Sequence, residues 1–250
     1  MLTPQFKLNR SSPDDRDYVY KQSQVELAPV LDLRKWDSLV EDQGNLGSCV
    51  GNAITNTYEL MVKHQYPEKF VYLSRLFVYY NARSLEGTLN EDAGTSIRDS
   101  LIGLKQYGVC DETLWMYDTS KFNVKPSQRC YKDALPRSIV KYEALYSIVD
   151  VAEALSLNMP VVIGMEIYES FMLLTPDNDI VAIPNAQDGP LGGHAVDIVG
   201  YDLPKQLFLA KNSYGTNWGN KGYCWIPFEY IKTQVFEKWC FTITDQSIIL

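Results

Sequence analysis

The residues that could carry chemistry stand out because their types are scarce: the 250-residue chain has two histidines and five cysteines. Cys49 follows the run Gln43-Gly44-Asn45-Leu46-Gly47-Ser48. Behind it Val50, Ala53, Ile54, Tyr58 and Met61 recur at helical spacing. A thiol at the start of a helix feels unpaired backbone N–H groups and the positive end of the helix dipole. Both favour thiolate, the nucleophilic form, and the glycines let a substrate backbone approach closely. Such a nucleophile needs a base. His64 is excluded by helix length, since about fifteen residues along one helix span roughly 22 Å at ~1.5 Å per residue. That leaves His194, in Leu191-Gly192-Gly193-His194 just before a strand-like run. An imidazole in this role needs a group to hold its ring and tautomer. Asn212, opening Asn212-Ser213-Tyr214-Gly215 after another strand-like run, is placed to do so. Taken singly, each residue also has a plain reading: a small hydrophobe in a packed helix, a structural histidine at a strand edge, a turn asparagine.

The elements that must position these groups fall into two textures. Ser48 can cap a first helix that ends near Tyr66-Pro67. Ser74 can cap a second, running through Leu76, Phe77, Tyr80 and Arg83 to Gly87. Thr95 or Ser96 opens a third, with Ile97, Leu101 and Leu104, stopped by Gly108. After about Tyr131 short strand-like runs take over: Val161-Val162-Ile163-Gly164-Met165, Ala195-Val196-Asp197-Ile198-Val199, Leu207-Phe208-Leu209-Ala210 and Tyr223-Cys224-Trp225-Ile226. One short helix over 151–155, capped by Asp150, interrupts them. A further strand is expected at Leu31-Asp32-Leu33-Arg34. This is an α+β pattern with two lobes and a cleft between them, a common place for ligands. The helical lobe is expected over about 40–130 and the strand-rich lobe over about 131–250, joined by the 27–39 strand segment. Residues 1–26, polar and carrying Asp14-Asp15-Arg16-Asp17, are expected to form an extended arm.

Composition sets the outer limits. An apolar fraction of 46 % and a charged fraction of 22 % exclude a disordered, collagen-like or coiled-coil chain. A net charge of -8 lacks the basic footprint of a nucleic-acid binder. The first residues hold no apolar signal core, and the longest apolar runs are far too short to span a bilayer. The expectation is a monomer with no membrane span, no classical signal peptide and an unassigned location. With no C-x-x-C spacing and so few histidines, neither a metal nor a cofactor is expected. Beyond Cys49, the four cysteines Cys110, Cys130, Cys224 and Cys240 are expected as free thiols, and Cys110–Cys130 is the most plausible bridge if one forms.

Three blocks in order resemble the papain-like cysteine peptidase family. Gln43-Gly44-Asn45-Leu46-Gly47-Ser48-Cys49 resembles its nucleophile segment. Gly193-His194-Ala195-Val196, followed by Val199-Gly200-Tyr201, resembles its histidine strand. Lys211-Asn212-Ser213-Tyr214-Gly215-Thr216-Asn217-Trp218-Gly219 resembles its asparagine segment. His194 follows Cys49 by about 145 residues, inside the ~130–150 window of such enzymes, and Asn212 falls just beyond it. The likeness runs from about residue 28 to 245. It implies the papain-like two-lobe α+β fold, with a helical left lobe, a β-barrel-like right lobe and the active site in the cleft.

The same resemblance implies a cysteine endopeptidase. Cys49 would be the nucleophile, His194 the proton carrier, Asn212 the group that orients it and Gln43 an oxyanion donor with the Cys49 N–H. Gly47, Gly94, Gly193 and Ala195 would line the substrate cleft, with Ala195 in the pocket for the second residue before the scissile bond. Trp218 would pack over the Asn–His pair. Asp197, on the same strand face as Ala195, is expected to place charge beneath that pocket, or else to be a paired interior carboxylate. Leu46, Val50 and Tyr214 stand where the family usually has Cys, Trp and Trp, which suggests a divergent, disulfide-poor branch of bacterial or viral type. The partner is a polypeptide substrate. The arm would either cross the cleft as a latch or pack along the back. An acyl transferase or isopeptidase with the same triad, and a catalytically silent peptide-binding relative, are the alternatives.

Overall fold

The computed structural model describes residues 5–246. In chain order its elements are β1 (Leu8–Asn9), β2 (Val30–Asp32), α1 (Cys49–Gln65), α2 (Arg75–Glu86), β3 (Thr95–Ser96), α3 (Ile97–Tyr107), α4 (Gln128–Ala134), β4 (Ile139–Ala144), α5 (Ile148–Ser156), β5 (Val161–Ile167), α6 (Glu169–Met172), β6 (Gly192–Asp202), β7 (Leu207–Lys211), β8 (Tyr223–Pro227), α7 (Phe228–Thr233) and β9 (Val235–Ile243). The helical half precedes the sheet, as the two textures of the sequence imply.

α1 runs through the middle and is buried from Cys49 to Val62. Burial on all sides obliges its polar residues to find partners. Asn52 donates to the Ser48 carbonyl (3.0 Å), Thr55 to the Gly51 carbonyl (2.9 Å), and the Glu59 carboxylate accepts the Leu73 N–H (2.7 Å). Gly51 is where α2 crosses: a Cβ there would come within 2.7 Å of the Arg75 carbonyl oxygen. Ser74 and Ser96 cap α2 and α3 through their side chains. Ser48 does not cap α1; its hydroxyl is taken by the Tyr117 hydroxyl at 2.6 Å. The short helix starts earlier than expected, because Ser147 is its cap and Asp150 sits at the third position of a capping box.

The main sheet has the order β4-β9-β5-β6-β7-β8, and β2 pairs with the far end of β6. Both faces are covered, which is why β5 reads as an unbroken apolar run. Val161, Ile163 and Met165 join the core shared with α5, α6 and α7, while Val162 and Ala195 join the core shared with α1 and α3. The right lobe is therefore an open sheet and not the barrel-like form expected. Its end strands do not pair; chain segments cover them instead, with Val19 bridging to Ala144 on β4 and Ile180 to Trp225 on β8. Covering an edge satisfies it as well as closure does.

The arm does both things the sequence left as alternatives. Residues 5–9 enter the cleft, where β1 pairs parallel with β3 and Lys7 bridges to Gly193. The rest runs along the back, held by Arg10–Glu166 (2.5 Å), by Ser11 on Glu237 (2.6 Å), by Asp17 on Arg98 and by the exchange of backbone hydrogen bonds between Ala144 and residues 18 and 20.

Candidate active site

Cys49 opens α1, and its thiol accepts the backbone N–H of Ala195, the residue after His194. That bond brings the helix start and β6 together across the cleft. His194 Nε2 lies 2.8 Å from Asn212 Oδ1. The Ser213 N–H also donates to Oδ1, at 2.8 Å, which identifies that atom as oxygen. Nε2 therefore carries the proton in the neutral ring, and Nδ1 is the acceptor, taking the Tyr214 hydroxyl at 3.4 Å. Gln43 is fully buried; its Oε1 accepts from Ser213 (2.6 Å) and its Nε2 donates to the Leu46 carbonyl (2.9 Å). One Nε2 hydrogen is left to donate elsewhere. Tyr117 braces this loop from behind, with its hydroxyl 2.9 Å from the Gln43 carbonyl and against Ser48.

Burial dominates the electrostatics. Cys49 and His194 are both completely inaccessible. Desolvation pushes the Cys49 thiol up to about 11 and holds His194 down at about 4, the Asn212 hydrogen bond acting in the opposite direction on the ring. With the arm in place, the pair at neutral pH is thiol and neutral imidazole. The helix start alone pointed to thiolate; removal from water outweighs it.

Gly47, Gly94 and Gly193, expected to line the cleft, all touch the arm. A Cβ on Gly47 would come within 2.9 Å of Lys7 Cδ, and one on Gly193 within 2.7 Å of the Leu8 carbonyl oxygen. Gly94, at φ +72°, lies so close under the Lys7 carbonyl that any side chain would collide with it. Ala195 is buried in the same apolar cluster as Leu8, Val162 and Cys49. Trp218 stands one ring further back than expected. Tyr214 stacks on His194 (centroids 4.9 Å) and Phe171 meets its edge, whereas Trp218 packs on Phe171 and Tyr214 and donates to the Phe171 carbonyl.

Asp197 does not reach the cleft. It is 1 % exposed, opposite Lys211 across β6 and β7, and burial drives its carboxyl well above the usual range against the pull of Lys211. The Lys211 ammonium itself is bound by Asp37 (2.8 Å) and Ser38 (3.1 Å). The interior alternative describes its position, because α1 covers that face of the strand. His64 sits in the last turn of α1 with its ring edge-on to Trp36, far from the site. All five cysteines are free and buried, and the Cys110 and Cys130 thiols are in hydrogen-bonding contact. The sequence reading missed Phe171, Tyr117 and Asp92.

Sequence and structure comparisons place the chain among known proteins. The family description "Papain family cysteine protease" matches residues 27–240. An uncharacterized peptidase C1-like protein of Acanthamoeba polyphaga mimivirus is 38 % identical over 217 residues, covering 81 % of this chain and 70 % of its own. The crystal structure of xylellain, a cysteine protease from Xylella fastidiosa, superposes with a TM-score of 0.89 at 31 % identity, covering 98 % of each chain. A digestive procathepsin L 3 of Tenebrio molitor shares the fold at a TM-score of 0.69 and 20 % identity, over 92 % of this chain and 76 % of its own. The chain belongs to the papain family of cysteine proteases.

Proposed function

We propose that the chain is a cysteine endopeptidase that hydrolyses peptide bonds through a Cys49–His194–Asn212 triad. The observation that supports this reading is the chain of contacts from Ser213 N–H through Asn212 Oδ1 to His194 Nε2, which fixes the ring and makes Nδ1 its acceptor nitrogen. In the working form Cys49 gives its proton to His194 Nδ1, and the sulfur attacks the peptide carbonyl. The oxyanion is held by the Cys49 N–H and the remaining Gln43 Nε2 hydrogen. His194 hands its proton to the leaving amine as the C–N bond breaks, leaving a thioester on Cys49. Water, losing a proton to His194, then releases the acid and restores the thiol. Asn212 keeps the ring in one orientation throughout.

The arm must leave the cleft before a substrate can enter, because residues 6–8 lie against Gly47 and Gly94 on one wall and Gly192 and Gly193 on the other. The reading is tested by turnover of a fluorogenic dipeptide amide. Wild type is expected to release the fluorophore and Cys49→Ala to release none. A wild-type chain that neither turns over substrate nor is labelled at Cys49 by a peptidyl electrophile would be a binding relative instead.

A further inference from the structure

Away from the cleft, the helical lobe has a second concave surface. Arg75 and Tyr79 of α2 pack against Gly51 of α1, and the helical period turns Tyr80, Asn81 and Ser84 to the opposite side. There they line a cavity of about 650 Å³, together with Tyr107 at the end of α3 and Tyr131 of α4. That is within the size range of ligand sites. Tyr131 is held in place: its hydroxyl donates to Asn81 Oδ1 at 2.8 Å, and its ring packs on Phe77 and Tyr107. Leu135, 63 % exposed, stands at the rim. No carboxylate lines the cavity; its charged groups are Lys125 and Lys132.

The charge here is opposite to that of the chain. From Lys121 to Lys141 there are six basic residues and one acid, Asp133, in a protein of net charge -8. Lys121, Arg137 and Lys141 are each taken up in an ion pair. Lys125, Arg129 and Lys132 are exposed and have no carboxylate partner among the described residues. Arg129 and Lys132, three apart on α4, are neighbours on the helix surface, and both also line the hollow on the other flank of that helix. α4 therefore carries an unpaired basic face beside an aromatic cavity.

We infer that this groove is a docking surface for an acidic polypeptide segment. One aromatic side chain of the segment enters the tyrosine-walled cavity, and flanking carboxylates meet Lys125, Arg129 and Lys132. Charge complementarity selects the acid. The cavity selects the anchor, because tyrosine rings offer stacked and edge contacts to another ring. A long phosphate chain would meet the acidic remainder of the protein, whereas a short acidic segment lies within the ~10 Å reach of the local charges. No residue of the arm lines the cavity, so the surface is open while the arm occupies the cleft.

The test follows the fluorescence anisotropy of fluorescein-labelled Gly-Glu-Glu-Phe-Glu-Glu amide at low salt on the full Cys49→Ala chain, which leaves the probe intact. Replacing the glutamates by glutamine should weaken binding about fivefold or more, the range for a few exposed charge pairs. Replacing the phenylalanine by alanine should weaken it about tenfold, the range for a buried aromatic side chain. In the protein, Lys125→Gln with Lys132→Gln should weaken it about fivefold, and Leu135→Glu, a change at an exposed site, should abolish it. Lys21→Gln with Lys232→Gln removes the same charge elsewhere and should leave affinity within about twofold. Absent binding, equal affinity for the glutamate and glutamine peptides, or equal weakening by the two double variants overturns the inference. Tighter binding of a labelled oligothymidylate than of the glutamate peptide, lost in Lys125→Gln with Lys132→Gln, overturns it in favour of a nucleic-acid surface.

Discussion

At the scale of single residues, the site separates groups that react from groups that hold them. Gln43 illustrates the division: one end is fixed by Ser213 and Leu46, so its remaining hydrogen is aimed without any reorganisation during reaction. Gln43→Ala is expected to lower kcat by ~10²–10³ with little change in KM, the signature of a contact made only in the transition state. Steady-state kinetics on the dipeptide amide would decide it, and a change confined to KM would assign Gln43 to substrate binding instead. The residues proposed to react were legible because Cys49, His194 and Asn212 stand in motif context and histidines are few. The surroundings of the two aspartates were not. Asp197 lies on the alternation face that points toward the cleft, but α1 covers it. Asp92 sits in an unremarkable polar stretch, and its partner Lys7 is 85 residues away in sequence.

At the scale of elements, the arm lies over a site whose two titratable groups are both fully buried. With residues 5–9 in place, the thiol is pushed up to about 11 and the imidazole down to about 4, burial being the leading cause for each. Tyr214, Asn212, Asp92 and Lys7 are the polar groups that face the pair. The folded pKa of His194 lies below its usual 6.5, so its contribution to the arm-closed state is present above about 6.5 and is lost as pH falls toward about 4. Acid should favour arm release. A chain starting at Pro13 keeps the backbone pairing of residues 18 and 20 with Ala144 and loses the cleft segment together with the Arg10–Glu166 and Ser11–Glu237 contacts. Its Cys49 should react faster with iodoacetamide at neutral pH than the full chain does, and the rate should level off at lower pH. In the full chain the rate should keep climbing into the alkaline range. Superimposable profiles would mean that the lobes, and not the arm, bury the thiol. The helices that hold the site were readable from their caps at Ser74 and Ser96 and their stops at Gly87 and Gly108. β9 was not, because Glu237 and Lys238 interrupt its apolar pattern while its other residues pair with β4 and β5.

Over the whole molecule, the two lobes are joined by a buried charge cluster behind the triad. Lys211, next to Asn212 in sequence, is fully buried with Asp37, which also accepts the Tyr223 hydroxyl at 2.9 Å. Removing one member of such a pair leaves an uncompensated interior charge, typically worth ~3–5 kcal/mol. Lys211→Met is therefore expected to lower the urea midpoint strongly, and adding Asp37→Asn to recover part of the loss. A single variant that unfolds at the wild-type midpoint would show that water reaches the cluster. The sheet's edges are settled at this scale too. They are covered by the segments around Val19 and Ile180 and not closed on each other.

The sequence by itself determined the chemistry available: one thiol at a helix start, one histidine able to reach it, an asparagine to hold the ring, and the order of helices and strands that brings them to one cleft. These are local signals, set by side-chain type, backbone propensity and short spacing. Only the tertiary structure decided that the arm fills the cleft, that Asp92 and not Asp197 faces it, and that the thiol and imidazole rest neutral. Each of those depends on which distant segments exclude water from a group, and desolvation is a property of the packed chain that no short stretch of residues carries.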